Sequence, residues 1–425
     1  MNIETIPSSI GKLWHLSYLD LSNNPIEMLP NSITRLHNLQ TLRLLECPIK
    51  QLPKYIDKLV NLKYLEMNKC CHLTHMPCGL GQLTKLQTLS KFVMSQNSCL
   101  DFRCHGGLNE LNGLNKLKGT LKIKGLRHGK EFASESKDSN MKEKKHLQDL
   151  TLSWIEEDVD ESNIGYNEVS LEALLPHGPL SNLQQLCLNE YGGVKIPSGI
   201  SLLSNLVNFS LYGCNRCQHL PPLDQFHSLK TLYLRRMNDL EYISERENNR
   251  EFSDSSFLPS IEQLKIEDCP NLKGWWQRQR DSIEELHNHS LPSFPHLSYL
   301  RIWKCPKLIS LPLFPYLEKL VLSKCSLKPL EQTLRLEVIN TVTPKNQTSI
   351  AVTSTSSSST LATSSLQTLE IWYCTSLLAI PEWICNHTSL RTLQILECPI
   401  LSKRCEREAG EDWSEIAHIP HLDIR

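Results

Sequence analysis

The stretch CCHLTHMPC, residues 70–78, gathers three thiols and two imidazoles: Cys70, Cys71, His72, His75 and Cys78. These are the ligand types of a zinc site, which asks for four donors in a tetrahedron. The spacing is loose, and Leu73 and Met76 between the donors are apolar and belong inside. Cys214 and Cys217 make one further CxxC without a second pair. Nothing in the chain matches GxxxxGK with Ser or Thr, HExxH, GxSxG or a dinucleotide glycine motif, so no phosphate cradle, hydrolytic metal or nucleophile elbow is encoded. The expectation is a non-enzyme, with no metal and no cofactor in this chain.

The cysteines themselves recur. LQTLRLLECPIKQLP carries one at Cys47, LKYLEMNKCCHLTHMP at Cys70, HLSYLRIWKCPKLISLP at Cys305 and LQTLEIWYCTSLLAIP at Cys374. Cys214, Cys269, Cys325 and Cys398 hold the same place, eight residues past a leucine-type residue. Alignment on LxxLxL gives fourteen units, beginning at Leu16, Leu39, Leu62, Leu86, Lys118, Leu147, Leu183, Leu206, Leu229, Ile261, Leu297, Leu317, Leu366 and Leu390. Spacing near 23 residues falls in the leucine-rich-repeat range of roughly 20–29. Alternation in LxxLxL puts apolar side chains on one face of a short strand. No single unit can bury that face, so neighbours must stack into a parallel ladder. Pro30 and Pro53 then open short helical or 3₁₀ outer turns. The fold class is an α/β solenoid: a leucine-rich-repeat horseshoe with a parallel inner sheet. At the cysteine position the chain turns inward. The first unit has Asn24 there, whose amide can satisfy backbone groups of adjacent turns. Cysteine is small, readily buried and a weak donor, so ladder packing is the favoured reading of these thiols.

The polar positions of LxxLxL face solvent and are the candidate binding surface. Tyr233, Arg235, Arg301, Trp303, Trp372 and Tyr373 are candidate protein-binding residues, because arginine and aromatic side chains dominate interface energetics. Strand propensity alone also favours aromatics at such positions. Tyr64 and Glu66, earlier on the same face, are candidates for an intramolecular inhibitory contact. Trp275 and Trp276 beside QRQR read best as a loop whose tryptophans cover the core edge.

Composition sets outer limits. A formal net charge of −1 provides no field for nucleic acid or anionic lipid. No apolar run approaches the ~18 residues of a membrane span, and MNIETIPSSIGKLWHL has no signal-peptide layout. An intracellular, cytoplasmic chain follows, in which sixteen cysteines stay reduced. Residues 1–94 are regular repeats whose opening reads as the tail of a preceding repeat, without a cap. Residues 95–182 are irregular; GLRHGKEFASESKDSNMKEKKH and WIEEDVDESNIGYNEVS are expected as charged, solvated excursions. Repeats resume over 183–340, 341–365 is a Ser/Thr-rich insertion expected to be disordered, and 366–425 holds the final repeats and a C-terminal cap.

IEMLPNSITRLHNLQTLRLLECPIKQLP, LPHGPLSNLQQLCLNEYGGVKIPSGI, LYGCNRCQHLPPLDQFHSLKTLYL and the tail GEDWSEIAHIPHLDI together resemble the leucine-rich-repeat region of plant intracellular immune receptors of the coiled-coil, nucleotide-binding class. The resemblance covers essentially the whole chain. It implies a region that senses a pathogen effector or a host guarded protein and restrains an upstream nucleotide-binding domain. ADP or ATP would belong to that domain, which this sequence lacks. The alternative is a generic intracellular leucine-rich-repeat scaffold that assembles signalling partners; it does not account for the tail.

Overall fold

Each LxxLxL becomes a short strand with its leucines turned inward, and stacking seals them: Leu39, Leu42 and Leu44 have no exposed surface. The computed structural model describes residues 2–95, 106–156, 164–175, 180–244, 258–276, 294–309, 311, 314–325, 365–375, 377–380, 384 and 389–425. The segment 341–364, expected as a disordered insertion, lies outside them. The chain forms two compact units, Met1–Leu229 and Lys230–Arg425.

In the first unit β1 (Tyr18–Asp20), β2 (Thr41–Arg43), β3 (Tyr64–Glu66) and β4 (Thr88–Leu89) pair in parallel. β5 (Lys91–Val93), β6 (Lys118–Leu126), β7 (His146–Trp154), β8 (Gln185–Asn189) and β9 (Asn208–Tyr212) form a second parallel set. The fourth repeat serves both sets, splitting at Ser90, whose buried hydroxyl accepts the Met67 N–H at 2.7 Å. In the second unit the main sheet runs β10 (Thr231–Arg235), β12 (Gln263–Glu267), β14 (Tyr299–Trp303), β15 (Lys319–Ser323), β16 (Thr368–Trp372), β17 (Thr392–Leu396) and β18 (His421–Ile424). A small pair, β11 (Tyr242–Ser244) with β13 (Gly274–Trp276), lies beside it. Trp275 there is 1 % exposed and meets Phe294 edge-on, 4.9 Å between ring centroids. Outer connections are 3₁₀ turns such as Asn31–Arg35, entered through Pro30 at φ −67°. Each of the fourteen expected units supplies a strand; β18, from the tail, adds a further rung that the leucine pattern did not announce.

The ladder position works as its chemistry suggests. Asn24 donates to the Leu21 and Ser22 carbonyls and accepts the Ile3 N–H. In later repeats the thiol reaches the carbonyl of the preceding repeat: Cys47 to Leu21 at 3.1 Å, Cys70 to Leu44 at 2.8 Å, Cys398 to Ile371 at 3.7 Å. These cysteines are free and buried. A second regularity precedes them. Asn23, Glu46, Lys69, Glu190, Arg236, Asp268, Lys304, Lys324, Tyr373 and Glu397 all have φ between 50° and 62°, a left-handed conformation uncommon outside glycine. The geometry explains it: in all of these but Lys69 the N–H continues the ladder, as Glu46 to the Asn68 carbonyl and Lys304 to that of Ser323. The left-handed residue then turns the chain so that the next side chain enters the core.

One expectation requires correction. The charged stretch 125–146 is not a solvated excursion. It contains α1 (Lys130–Asp138), which buries Phe132, Ala133 and Ser136, and it packs against α2 (Ile164–Leu174) in the second stretch. Its charges line one helical face while Phe132 and Ser136, four residues apart, occupy the other. Lys144 is fully buried, donating to the Leu111 carbonyl at 2.8 Å, and burial pulls its amine down to about 8. The tail closes through α3 (Pro399–Arg404) and α4 (Trp413–Ile416), pinned by a two-pronged contact from Arg404 to Asp412 at 2.6 and 3.0 Å.

Candidate functional site

Parallel register turns the polar positions of the second unit into rows. Tyr233, Lys265, Arg301, Val321 and Glu370 stand side by side across β10, β12, β14, β15 and β16. The next row is Arg235, Glu267, Trp303, Ser323 and Trp372. Five of the six candidate binding residues therefore lie on two adjacent rows, although up to 139 positions separate them in sequence (Tyr233 to Trp372, 372 − 233).

What joins them is Glu267, whose side chain is 9 % exposed. Its Oε2 accepts the Tyr233 hydroxyl at 2.8 Å, and its Oε1 is 2.9 Å from Arg301 Nε. Arg235 Nε is 3.6 Å from Oε2, and its Nη1 donates to the Tyr233 oxygen at 3.3 Å. One carboxylate thus anchors two guanidinium groups and a phenol. Burial, reinforced by this carboxylate, raises the Tyr233 pKa above its ordinary value. The guanidinium carbon of Arg235 lies 5.8 Å from the Trp303 ring centroid, and that of Arg301 the same distance from Trp372. Lys304 Nζ approaches Trp303 at 4.9 Å. Neighbouring Glu370 is taken up by Lys319 at 2.5 Å. The result is a cationic, aromatic face whose side chains are already fixed.

Tyr373 stands apart. It is the left-handed corner residue after β16, half exposed, with Lys324 Nζ 5.2 Å from its ring. Trp372 faces with the sheet; Tyr373 belongs to the corner column. Glu267 was visible only as one polar position among many, because nothing in sequence marks it as nearest to both arginines.

In the first unit, Arg43 bridges Glu66 at 3.0 Å and Asp20 at 3.1 Å, and Tyr64 donates to Gln87 Oε1 at 3.3 Å. Glu66 borders an open groove of about 620 Å³ with Asn68, Ser90, Lys118 and His146. Hydrogen bonds from Ser22, with Arg43 nearby, hold the Asp20 carboxyl below its usual range. The CCHLTHMPC residues disperse: Cys70 is a ladder thiol, Cys71 is exposed and Cys78 half-buried. Among the described residues no group of three or more His, Cys, Asp or Glu side chains is placed to share a metal ion. Nor is any described helix long and apolar enough to cross a membrane.

Comparison with known proteins agrees with this architecture. The profile of the family described as R13L1/DRL21 LRRs matches residues 108–237. Two Solanum bulbocastanum relatives named for disease resistance, RGA1 and RGA4, are 35 % and 32 % identical over 100 % and 83 % of this chain. The chain spans less than half of either, 45 % and 39 % of their lengths. Among solved structures, the Leptospira interrogans LRR protein LIC12759 aligns at 18 % identity and a TM-score of 0.45, over 99 % of this chain and 81 % of that one. The chain is a leucine-rich-repeat region of the plant disease resistance family.

Proposed function

We propose that this region recognises protein through the Glu267-centred face of its second unit, on behalf of an intracellular plant immune receptor. The observation that carries the reading is one buried carboxylate holding Arg235, Arg301 and Tyr233 beside Trp303 and Trp372. Binding energy concentrates in arginine and aromatic anchors, and anchors already held in place lose little entropy when a partner docks. Cations outnumber carboxylates on these rows, which suits a pathogen effector or host guarded protein with an acidic surface. The function is binding rather than catalysis. In the intact receptor the groove bordered by Glu66, with Tyr64 beside it, would meet the nucleotide-binding domain and restrain it, and ADP or ATP would sit in that domain.

The test uses a receptor restored with its upstream half. Alanine at Trp303 or Trp372 should weaken effector-triggered signalling and leave resting inhibition intact. Alanine at Tyr64 or Glu66 should release signalling without effector. Recognition that survives all of Arg301, Trp303 and Trp372 substitutions at normal abundance would move the binding site off this face.

A further inference from the structure

Among the left-handed corner residues that follow a strand, Lys69 is the one whose N–H does not reach a carbonyl of the next repeat. The fourth repeat breaks register there. Ser90 sets its hydroxyl, not a main-chain carbonyl, against the Met67 N–H, and β5 pairs with β6 instead of β3. Main-chain contact resumes at Met76, whose N–H donates to the Val93 carbonyl at 2.8 Å. In the interval the walls part. They leave a cavity of about 540 Å³ between residues 71–75 on one side and the ends of β5 and β6 on the other. Its polar lining includes Lys91, Lys124, His72, His75, Thr74 and Ser95, and no Asp or Glu is among the described residues that line it.

Lys91 is the unusual member. It is 6 % exposed, and among the described residues its ammonium donates to the Cys70 carbonyl alone. An ammonium carries three donors, so two are left for a ligand. Buried charges are ordinarily paired, yet the charged neighbours of this one are cations. The β5–β6 register sets Lys91 beside Lys122, and Val93 beside Lys124. Burial pulls the Lys91 amine below the ordinary lysine value, and Lys124 and Lys122 press in the same direction against the opposing thiols of Cys70 and Cys71.

We propose that this cavity binds a phosphate group, with Lys91 and Lys124 as its two cations. Free inorganic phosphate and the phosphate of a small molecule offer the same chemistry. A phosphate monoester carries about −1.5 to −2 charge near neutral pH and three strong acceptor oxygens. That matches two ammonium groups, and its entry supplies the counter-charge that Lys91 lacks. A carboxylate brings a single charge and leaves one lysine unmatched. The volume lies within the roughly 300–1,000 Å³ of small-ligand pockets, more than bare phosphate fills, which favours a phosphorylated small molecule. The site belongs to the first unit and is independent of the Glu267-centred face.

Calorimetric titration of the full chain, at constant ionic strength in chloride, tests this with two probes: inorganic phosphate and phenyl phosphate. Saturable binding with a Kd of about 1 mM or tighter is expected, because charge-assisted hydrogen bonds form to both lysines. Tighter binding of phenyl phosphate identifies a phosphorylated small molecule as the occupant, and tighter binding of phosphate identifies the free ion; either result supports the site. Lys91→Met and Lys124→Gln should each weaken the better probe at least about tenfold. Lys230→Gln, in the second unit, should leave it unchanged. Lys124 is exposed, so its variant reports even where Lys91→Met fails to fold. Absence of saturable binding by both probes, or an affinity that either substitution leaves unmoved in a folded chain, would overturn the proposal.

Discussion

Removing the Glu267 carboxylate probes the central claim about the face most directly. Alanine there leaves Arg301 and Arg235 without their common counter-charge and Tyr233 without its acceptor. Breaking a fully buried pair costs about 3–5 kcal/mol, and a surface pair is worth less than about 1 kcal/mol. Here the carboxylate is 9 % exposed but Arg301 and Arg235 are 32 % and 37 % exposed. Water can therefore repay part of what the arginines lose. That places Glu267→Ala near 2 kcal/mol, between the two limits. Glu267→Gln keeps an acceptor for Tyr233 and should cost about half as much. The measurement is a double-mutant cycle with Arg301→Ala, read from urea unfolding of the chain by circular dichroism. A coupling of about 1 kcal/mol is expected, shrinking in high salt because the arginine side is open to solvent. Coupling within about 0.3 kcal/mol of zero would mean that Glu267 does not hold Arg301, and the argument for a fixed face would fall with it.

Three further outcomes follow from the geometry. At the left-handed corner, Glu397 at φ 55° is exposed; Glu397→Gly should stabilise by about 0.5 kcal/mol and Glu397→Val destabilise by about 1 kcal/mol. A midpoint for the valine variant equal to that of the parent would refute the strain argument. Lys144 is held by burial at about 8 in the folded chain, below its ordinary value of 10.5. The unfolded chain therefore binds more protons between those values, so its contribution makes stability rise with pH from about 8 to 10.5, and below 8 its penalty is fully present. Lys144→Met should remove that rise, worth at most roughly 3 kcal/mol, when unfolding free energies of the two chains are subtracted across this range. Finally, native alkylation should label exposed Cys71 first and spare Cys47, Cys70, Cys305 and Cys374 until unfolding; rapid labelling of all four would contradict the ladder.

Much of this molecule was written in residue spacing. LxxLxL fixes which side chains face inward, because strand alternation is a local property and only stacking can bury it. The ladder role of Asn24, Cys47 and Cys70 was legible for the same reason: an equivalent place in every repeat meets an equivalent neighbour. The candidate residues Tyr233, Arg235, Arg301, Trp303 and Trp372 could be named from the polar positions of that pattern. Sequence could not rank them, since repeats of 20, 32, 36 and 49 residues separate strands that register places side by side (317 − 297, 261 − 229, 297 − 261, 366 − 317). Which carboxylate lies between two arginines is decided by that pairing, so Glu267 emerged only from the folded sheet. The same holds for Tyr373, adjacent to Trp372 in sequence yet sent to a different column by one left-handed turn. Local hydrophobic content also misled at Lys130–Asp138, where a charged segment buries Phe132 because α2 supplies the apolar partner. Periodicity determines what faces inward; long-range pairing alone determines which outward-facing groups meet, because electrostatic contact depends on distance in space and not on separation along the chain.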